Sequence, residues 1–69
     1  MEINLKKFVD KNNITLEELS QKTGLSIELL REMYYKGSFN GDEVGVHALS
    51  ELVLALDILN INELVPKIN

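Results

Sequence analysis

The 69-residue chain has no cysteine, one histidine, one proline and four glycines, and its bases are outnumbered by acids seven to eleven. Without cysteine there is neither a disulfide staple nor a thiolate metal site, so stability must come from helix packing or from association with another chain. The same absence suits a cytoplasmic protein. No apolar run approaches the roughly 18 residues of a spanning helix. Glu2 stands where a signal peptide would be basic, so neither secretion nor membrane insertion is expected. A single histidine, His47, cannot complete a Ser-His-Asp set with any assembled partner and is a poor metal ligand alone. Gly37, Gly41 and Gly45 are not followed by the Lys-Ser or Lys-Thr of a phosphate loop. Catalysis, a metal and a cofactor are therefore not expected. The net charge of −4 argues against strong non-specific nucleic-acid binding, which relies on basic residues displacing counterions, although a small basic face remains compatible with it.

What is present is the composition of a folded helical domain, 45% hydrophobic and 26% charged, with no internal repeat, linker or low-complexity segment. A chain this short buries only about 60% of the surface its unfolded form exposes, which permits one domain, residues 1–69, with a modest core. Its most informative stretch is Thr15 to Gly37, TLEELSQKTGLSIELLREMYYKG. Thr15 and Glu18 have the spacing of a capping box, and Ile14 and Leu19 that of a hydrophobic staple, so a helix should start at Leu16 and stop at Gly24. Leu25 and Ser26 repeat the arrangement for a second helix, with Leu25 stapling onto Leu30 and Gly37 as terminator. In that helix Leu30 and Met33 point inward with Tyr34 at the margin, while Ile27, Glu28, Arg31, Glu32 and Tyr35 point away from the core.

Around this unit, Asn4 can cap a first helix carrying Leu5, Phe8 and Val9 on its apolar side and Lys6, Lys7, Asp10 and Lys11 on the other, with Asn12 and Asn13 as the connection. Residues 37–45, GSFNGDEVG, read as loop with Phe39 turned to the core. Asn40-Gly41 is also a hairpin signal, but its flanks are too short and do not alternate. A fourth helix is expected from about Val44 to about Leu59, capped by Asp42, with Leu49, Leu52, Val53 and Leu56 inward. On its other side Leu54 falls among His47, Ser50, Glu51 and Asp57, with Ile58 near the edge. Leu54 is either an ordinary exposed leucine, or Leu54, Ile58 and the last helix form a homodimer patch. Asn60, with Glu63 at the capping-box position, starts a last short helix bearing Ile61, Leu64 and Val65, closed by Pro66. The tail Lys67 to Asn69 is expected to fray.

ITLEELSQKTGLS, the Leu30 and Met33 pair, Gly37, a leucine-rich helix ending ALDI and the closing INELV together resemble the Xre/Cro/CI family of helix-turn-helix DNA-binding domains. The resemblance extends from Leu5 to Val65. It implies an all-α, five-helix, lambda repressor-like fold whose unit 15–37 places the third helix in the DNA major groove, with many relatives binding as dimers. Residue by residue the carry-over is uneven. Ile27 and Glu28 stand where the family usually has Gln, Ser or Thr, and Leu16 where many relatives carry a supporting glutamine. Glu32 stands where an arginine is common, with Arg31 one position away, and Lys36 where the glycine is usual. Across 15–37, Glu17, Glu18, Glu28 and Glu32 face Lys22, Arg31 and Lys36.

Two functions remain open. One is a transcriptional regulator in which Arg31, Lys36 and Lys22 hold phosphates while Glu28, Ile27 and Tyr35 read duplex DNA. The other is a repressor-like scaffold turned to protein binding, as in antirepressors, antitoxins or inhibitors of a host nuclease such as an anti-CRISPR, using Leu16, Ile27 and Tyr35 ringed by acids.

Overall fold

The helices that form have at most ten residues, and isolated helices below about 12 to 15 residues are marginal in water. Their apolar faces must meet. In a computed structural model, which describes residues 1–66, they do so as α1 (Leu5–Asn12), α2 (Leu16–Thr23), α3 (Ile27–Lys36), α4 (Val46–Ala55) and α5 (Ile61–Leu64). The expected fraying of Lys67 to Asn69 lies outside the described residues. The protein is a small all-helical domain, and among the described residues there is no β-strand and no helix long and apolar enough to cross a membrane. One hydrophobic cluster draws on all five helices, with Leu5, Leu19, Leu30, Met33, Leu52 and Leu64 fully buried at its centre. The buried set contains no polar or charged side chain, so no desolvated polar group subtracts from the burial.

The local signals around α2 and α3 form as their chemistry dictates. Thr15 Oγ1 accepts from the Glu18 amide at 3.1 Å, and the Glu18 carboxylate accepts from the Thr15 amide at 3.2 Å, completing the capping box. The Ser26 hydroxyl accepts from the Leu29 amide at 3.2 Å to start α3. Gly24 and Gly37 terminate the two helices at φ +78° and +68°, a left-handed conformation that only a residue without Cβ adopts freely. Helices α2 and α3 are thus separated by three residues, Gly24 to Ser26. Both pack on the core, α2 against α4 and α3 against α1.

Backbone pairing ties the ends of the chain to this frame. Ile3 donates to the Gly37 carbonyl at 3.0 Å and Phe39 to the Met1 carbonyl at 2.9 Å, around an isolated antiparallel bridge between Glu2 and Ser38. Phe39 is buried, as expected. Asn4 does not cap α1. Its amide donates to the Leu64 carbonyl at 2.8 Å and its side chain to Glu63 O at 3.2 Å, so it spends its polar groups holding α5. Asn12 ends α1 inside the helix, and Asn13 alone makes the left-handed exit at φ +53°.

Helix α4 is shorter than the sequence pattern predicts. Asp42 is not its cap, because the preceding residues close a turn on Asn40. The Asn40 carbonyl accepts from Glu43 at 2.9 Å and Val44 at 3.2 Å, and Oδ1 accepts from the Asp42 amide at 2.9 Å. Val44 is pinned in the core, and α4 starts only after Gly45. At the other end Asp57 takes φ +54°. Asp57 donates to Leu54 O at 3.4 Å and Ile58 to Val53 O at 3.0 Å, the two bonds of a Schellman reversal. The reversal overturns the placement of Ile58, which is only 7% exposed and cannot belong to a surface patch, while Leu59 swings out to 96% exposure. In α5 the Asn60 side chain accepts from Asn62 at 2.9 Å rather than from Glu63, so the expected capping box is not formed.

Two substitutions test this account of the helix ends in opposite directions. Thr15→Ala should lower the unfolding free energy by about 1 kcal/mol through loss of the cap. Asp57→Gly should raise it by about 0.5 to 1 kcal/mol by relieving a left-handed non-glycine residue. Denaturant midpoints that moved the same way for both would contradict it.

Candidate functional site

Helix α3 buries Leu30 and Met33, and Leu29 leans on the same core. At about 100° per residue this leaves one continuous open arc, in angular order Ile27, Arg31, Tyr35, Glu28, Glu32 and Lys36. The side chains follow that geometry. Glu28, Arg31, Glu32, Tyr35 and Lys36 are exposed, Tyr35 to 76%, and Ile27 is half-buried.

The arc has two parts with different surroundings. On one side Arg31, Tyr34 and Tyr35 form the wall of a shallow groove of about 300 Å³. Its opposite wall comes from the end of α1 and the start of α2, with Val9, Asp10, Ile14, Thr15, Leu16 and Glu17. Leu16 does not stand free on the surface as a presented residue would. It is half-buried against the hydrophobic core and forms part of the groove. The Tyr34 and Tyr35 rings meet edge to face, 4.9 Å apart at 78°. On the other side Glu28, Glu32 and Lys36 face solvent, and Lys36 Nζ lies 3.8 Å from Glu32 Oε1. Exposed i,i+4 pairs of this kind contribute about 0.3 to 0.5 kcal/mol, and this one partly neutralises one of the three cations expected to hold phosphate. Among the described residues, Arg31 and Lys22 have no carboxylate within 4.0 Å. Lys22 lies in the last turn of α2, at the far end from the groove.

The structure also joins Lys6 and Asp10, which helical periodicity assigned to the polar side of α1, with Tyr34 at the core margin of α3. The Tyr34 hydroxyl donates to Asp10 Oδ1 at 2.7 Å, and Lys6 Nζ donates to Asp10 Oδ2 at 3.1 Å and to the Tyr34 hydroxyl oxygen at 3.2 Å. This triangle clips α1 to α3 at one edge of the groove. It fixes Tyr34 at the core margin, while Tyr35 is the exposed aromatic of the pair. The hydrogen bond from Tyr34, followed by that from Lys6, holds the Asp10 carboxyl below the ordinary carboxylate value. The bond to Asp10, then that to Tyr34, raises the Lys6 ammonium. The i,i+4 spacing of Lys6 and Asp10 is a sequence signal for half of this cluster, whereas Tyr34 joins it only through the packing of α3 on α1.

Of the dimer candidates, Leu54 is 76% exposed on α4 and Ile58 is buried. Leu59 and Val46, at 96% and 70%, are exposed apolar residues that the longer fourth helix of the sequence reading did not single out. No family model, curated protein or solved structure matches this chain.

The α1–α3 clip predicts an acid-sensitive contribution to stability. Asp10 is lowered in the fold, so its contribution is complete above the ordinary carboxylate value and is lost as pH falls through the lowered folded value. Tyr34→Phe removes the largest cause. The stability gap between wild type and Y34F, measured by urea unfolding, should be widest near neutral pH and close as the solution is acidified below the folded pKa of Asp10. A gap that persists unchanged into acid would contradict the assignment.

Proposed function

We propose that the protein is a small helix-turn-helix regulator of Xre/Cro type that reads duplex DNA with α3. The observation that carries this reading is the open arc of α3, braced from behind by α2 and, among the described residues, free of any covering element. Ten residues at 1.5 Å rise give a rod of about 15 Å, and the major groove, about 12 Å wide, admits such a helix. In this role Arg31, Lys36 and Lys22 contact phosphates, Ile27 touches a thymine methyl group, Glu28 accepts from a cytosine amino group and Tyr35 packs along the groove wall. Three cations opposed by four acids give a single domain little affinity at physiological salt, so the active form in this reading is a homodimer. Leu54 retains the exposure that a dimer contact needs.

A second reading, the same face bound to a basic protein partner, is favoured by one specific feature. Glu28 and Glu32 are exposed on the arc and Glu32 engages Lys36, which brings the net charge of the presented helix close to zero. A surface of that kind suits an antirepressor, antitoxin or nuclease inhibitor better than a phosphate binder.

Charge reversal separates the two. Glu28→Lys together with Glu32→Lys should strengthen binding to duplex DNA on the order of tenfold or more at low salt. For the wild type, log K against log salt should fall with a slope of about −2 to −3 per protomer, as expected for three phosphate contacts. Fluorescence anisotropy with DNA drawn from the protein's own upstream region reads both quantities. No wild-type binding at low salt, combined with loss of a captured protein partner on charge reversal, would overturn the DNA reading in favour of the second.

A further inference from the structure

The turn between α3 and α4 brings together, at Asn40 and Gly41, the groups needed for an intramolecular reaction of the Asn40 side chain. Both residues are exposed. The Asn40 carboxamide is folded back over the residues that follow it, with Oδ1 accepting from the Asp42 amide at 2.9 Å. That donor points at the oxygen on which negative charge develops when a nucleophile adds to Cγ, the arrangement that stabilises tetrahedral intermediates of acyl transfer. The nucleophile is adjacent. Among the described residues the Gly41 amide makes no hydrogen bond, whereas Asp42, Glu43 and Val44 all donate within the turn. Gly41 carries no side chain to obstruct its own nitrogen, and the Asn40 Nδ2 group is likewise without a partner. Because the hydrogen bond from Asp42 holds the Asn40 side chain over the turn, part of the entropic cost that a disordered chain meets at every attempt is already met.

We propose that Asn40 is a site of spontaneous deamidation, promoted rather than suppressed by the folded turn. The Gly41 nitrogen forms a bond to Asn40 Cγ and gives up its proton. The Cγ–Nδ2 bond breaks and ammonia leaves, closing a succinimide ring over residues 40 and 41. Water then opens the ring at either carbonyl. Breaking the bond from nitrogen to Cγ gives aspartate with the chain unchanged, and breaking the bond from nitrogen to the main-chain carbonyl carbon gives isoaspartate with one extra methylene in the backbone. Each product adds one negative charge beside Asp42 and Glu43. The isoaspartate form also lengthens the link between Phe39 and Val44, both 4% exposed in the core, and so strains the two anchors of this loop. The modification would act as a timer, converting the domain from a fresh state into an aged and less stable one without any enzyme.

Gly41 is not in the left-handed region. A Cβ placed there meets only the end of the Met1 side chain at 3.6 Å, so Gly41→Ala preserves the fold while hindering attack by the nitrogen. The test is timed incubation of the intact protein in mildly alkaline buffer at body temperature, folded and in urea, followed by peptide mapping with mass spectrometry and isoaspartate detection. Conversion at Asn40 in the folded protein should be at least as fast as in urea and faster than at Asn12, Asn13, Asn60 or Asn62. G41A should slow it severalfold, with its unfolding temperature close to that of the wild type. Conversion that is severalfold slower in the folded protein than in urea would overturn the proposal, since the turn would then protect Asn40. Equal rates in wild type and G41A would overturn it too, by removing Gly41 as the nucleophile.

Discussion

Burial of one apolar cluster by helices too short to stand alone is the constraint on which everything else in this protein depends. The four longer helices have eight to ten residues and α5 has four, lengths at which nucleation outweighs propagation. Each is helical because Leu5, Leu19, Leu30, Leu52 or Leu64 is needed at the same centre. Without a cysteine to form a disulfide, the margin over unfolding rests on that centre and on the precision of the helix ends. This explains why the chain invests in ends: the capping box at Thr15, the glycines at 24 and 37, and the left-handed exits at Asn13 and Asp57. In so small a domain each cap contributes a sizeable fraction of the stability.

The same constraint separates scaffold from readout. Leu30 and Met33 commit one side of α3 to the core, and the caps at Ser26 and Gly37 fix its length and direction. None of these depends on the open arc, so Ile27, Glu28, Arg31, Glu32, Tyr35 and Lys36 can vary without disturbing the fold. The proposed functions are alternatives for that arc alone. Its aromatic and basic side lies against the groove with Arg31 and Tyr35, and its acidic side carries Glu28 and Glu32. A DNA contact would use the first together with Glu28 and Lys36, whereas a basic protein partner would centre on Glu28 and Glu32.

Where the chain's signals were local, the sequence alone was a sufficient guide. The boundaries of α2 and α3, the inward pair Leu30 and Met33, the burial of Phe39 and the exposed arc all follow from capping chemistry and helical spacing. It failed where a distant partner or a competing local turn drew a residue out of the helical pattern. Asn4 has the identity of a cap but hydrogen-bonds α5, some sixty residues away. Asp42 looks like the start of α4 but lies in a turn closed on Asn40. Ile58 follows the helical period, yet the reversal at Asp57 ends that period before reaching it. Leu16, read from the sequence as part of the presented face, is half-buried against the core cluster. The Lys6, Asp10 and Tyr34 triangle combines the two cases, one edge local and two tertiary.

The central functional claim is that the open arc of α3 is a DNA-reading surface. Amide chemical-shift mapping of the labelled protein during titration with duplex DNA at low salt tests it most directly. DNA reading by α3 predicts shifts concentrated at the start of α2 and along Ile27, Glu28, Arg31, Tyr35 and Lys36, with α4 and α5 unperturbed apart from a dimer contact at Leu54. Shifts confined to α4 and α5, or none on the arc at saturating DNA, would contradict it.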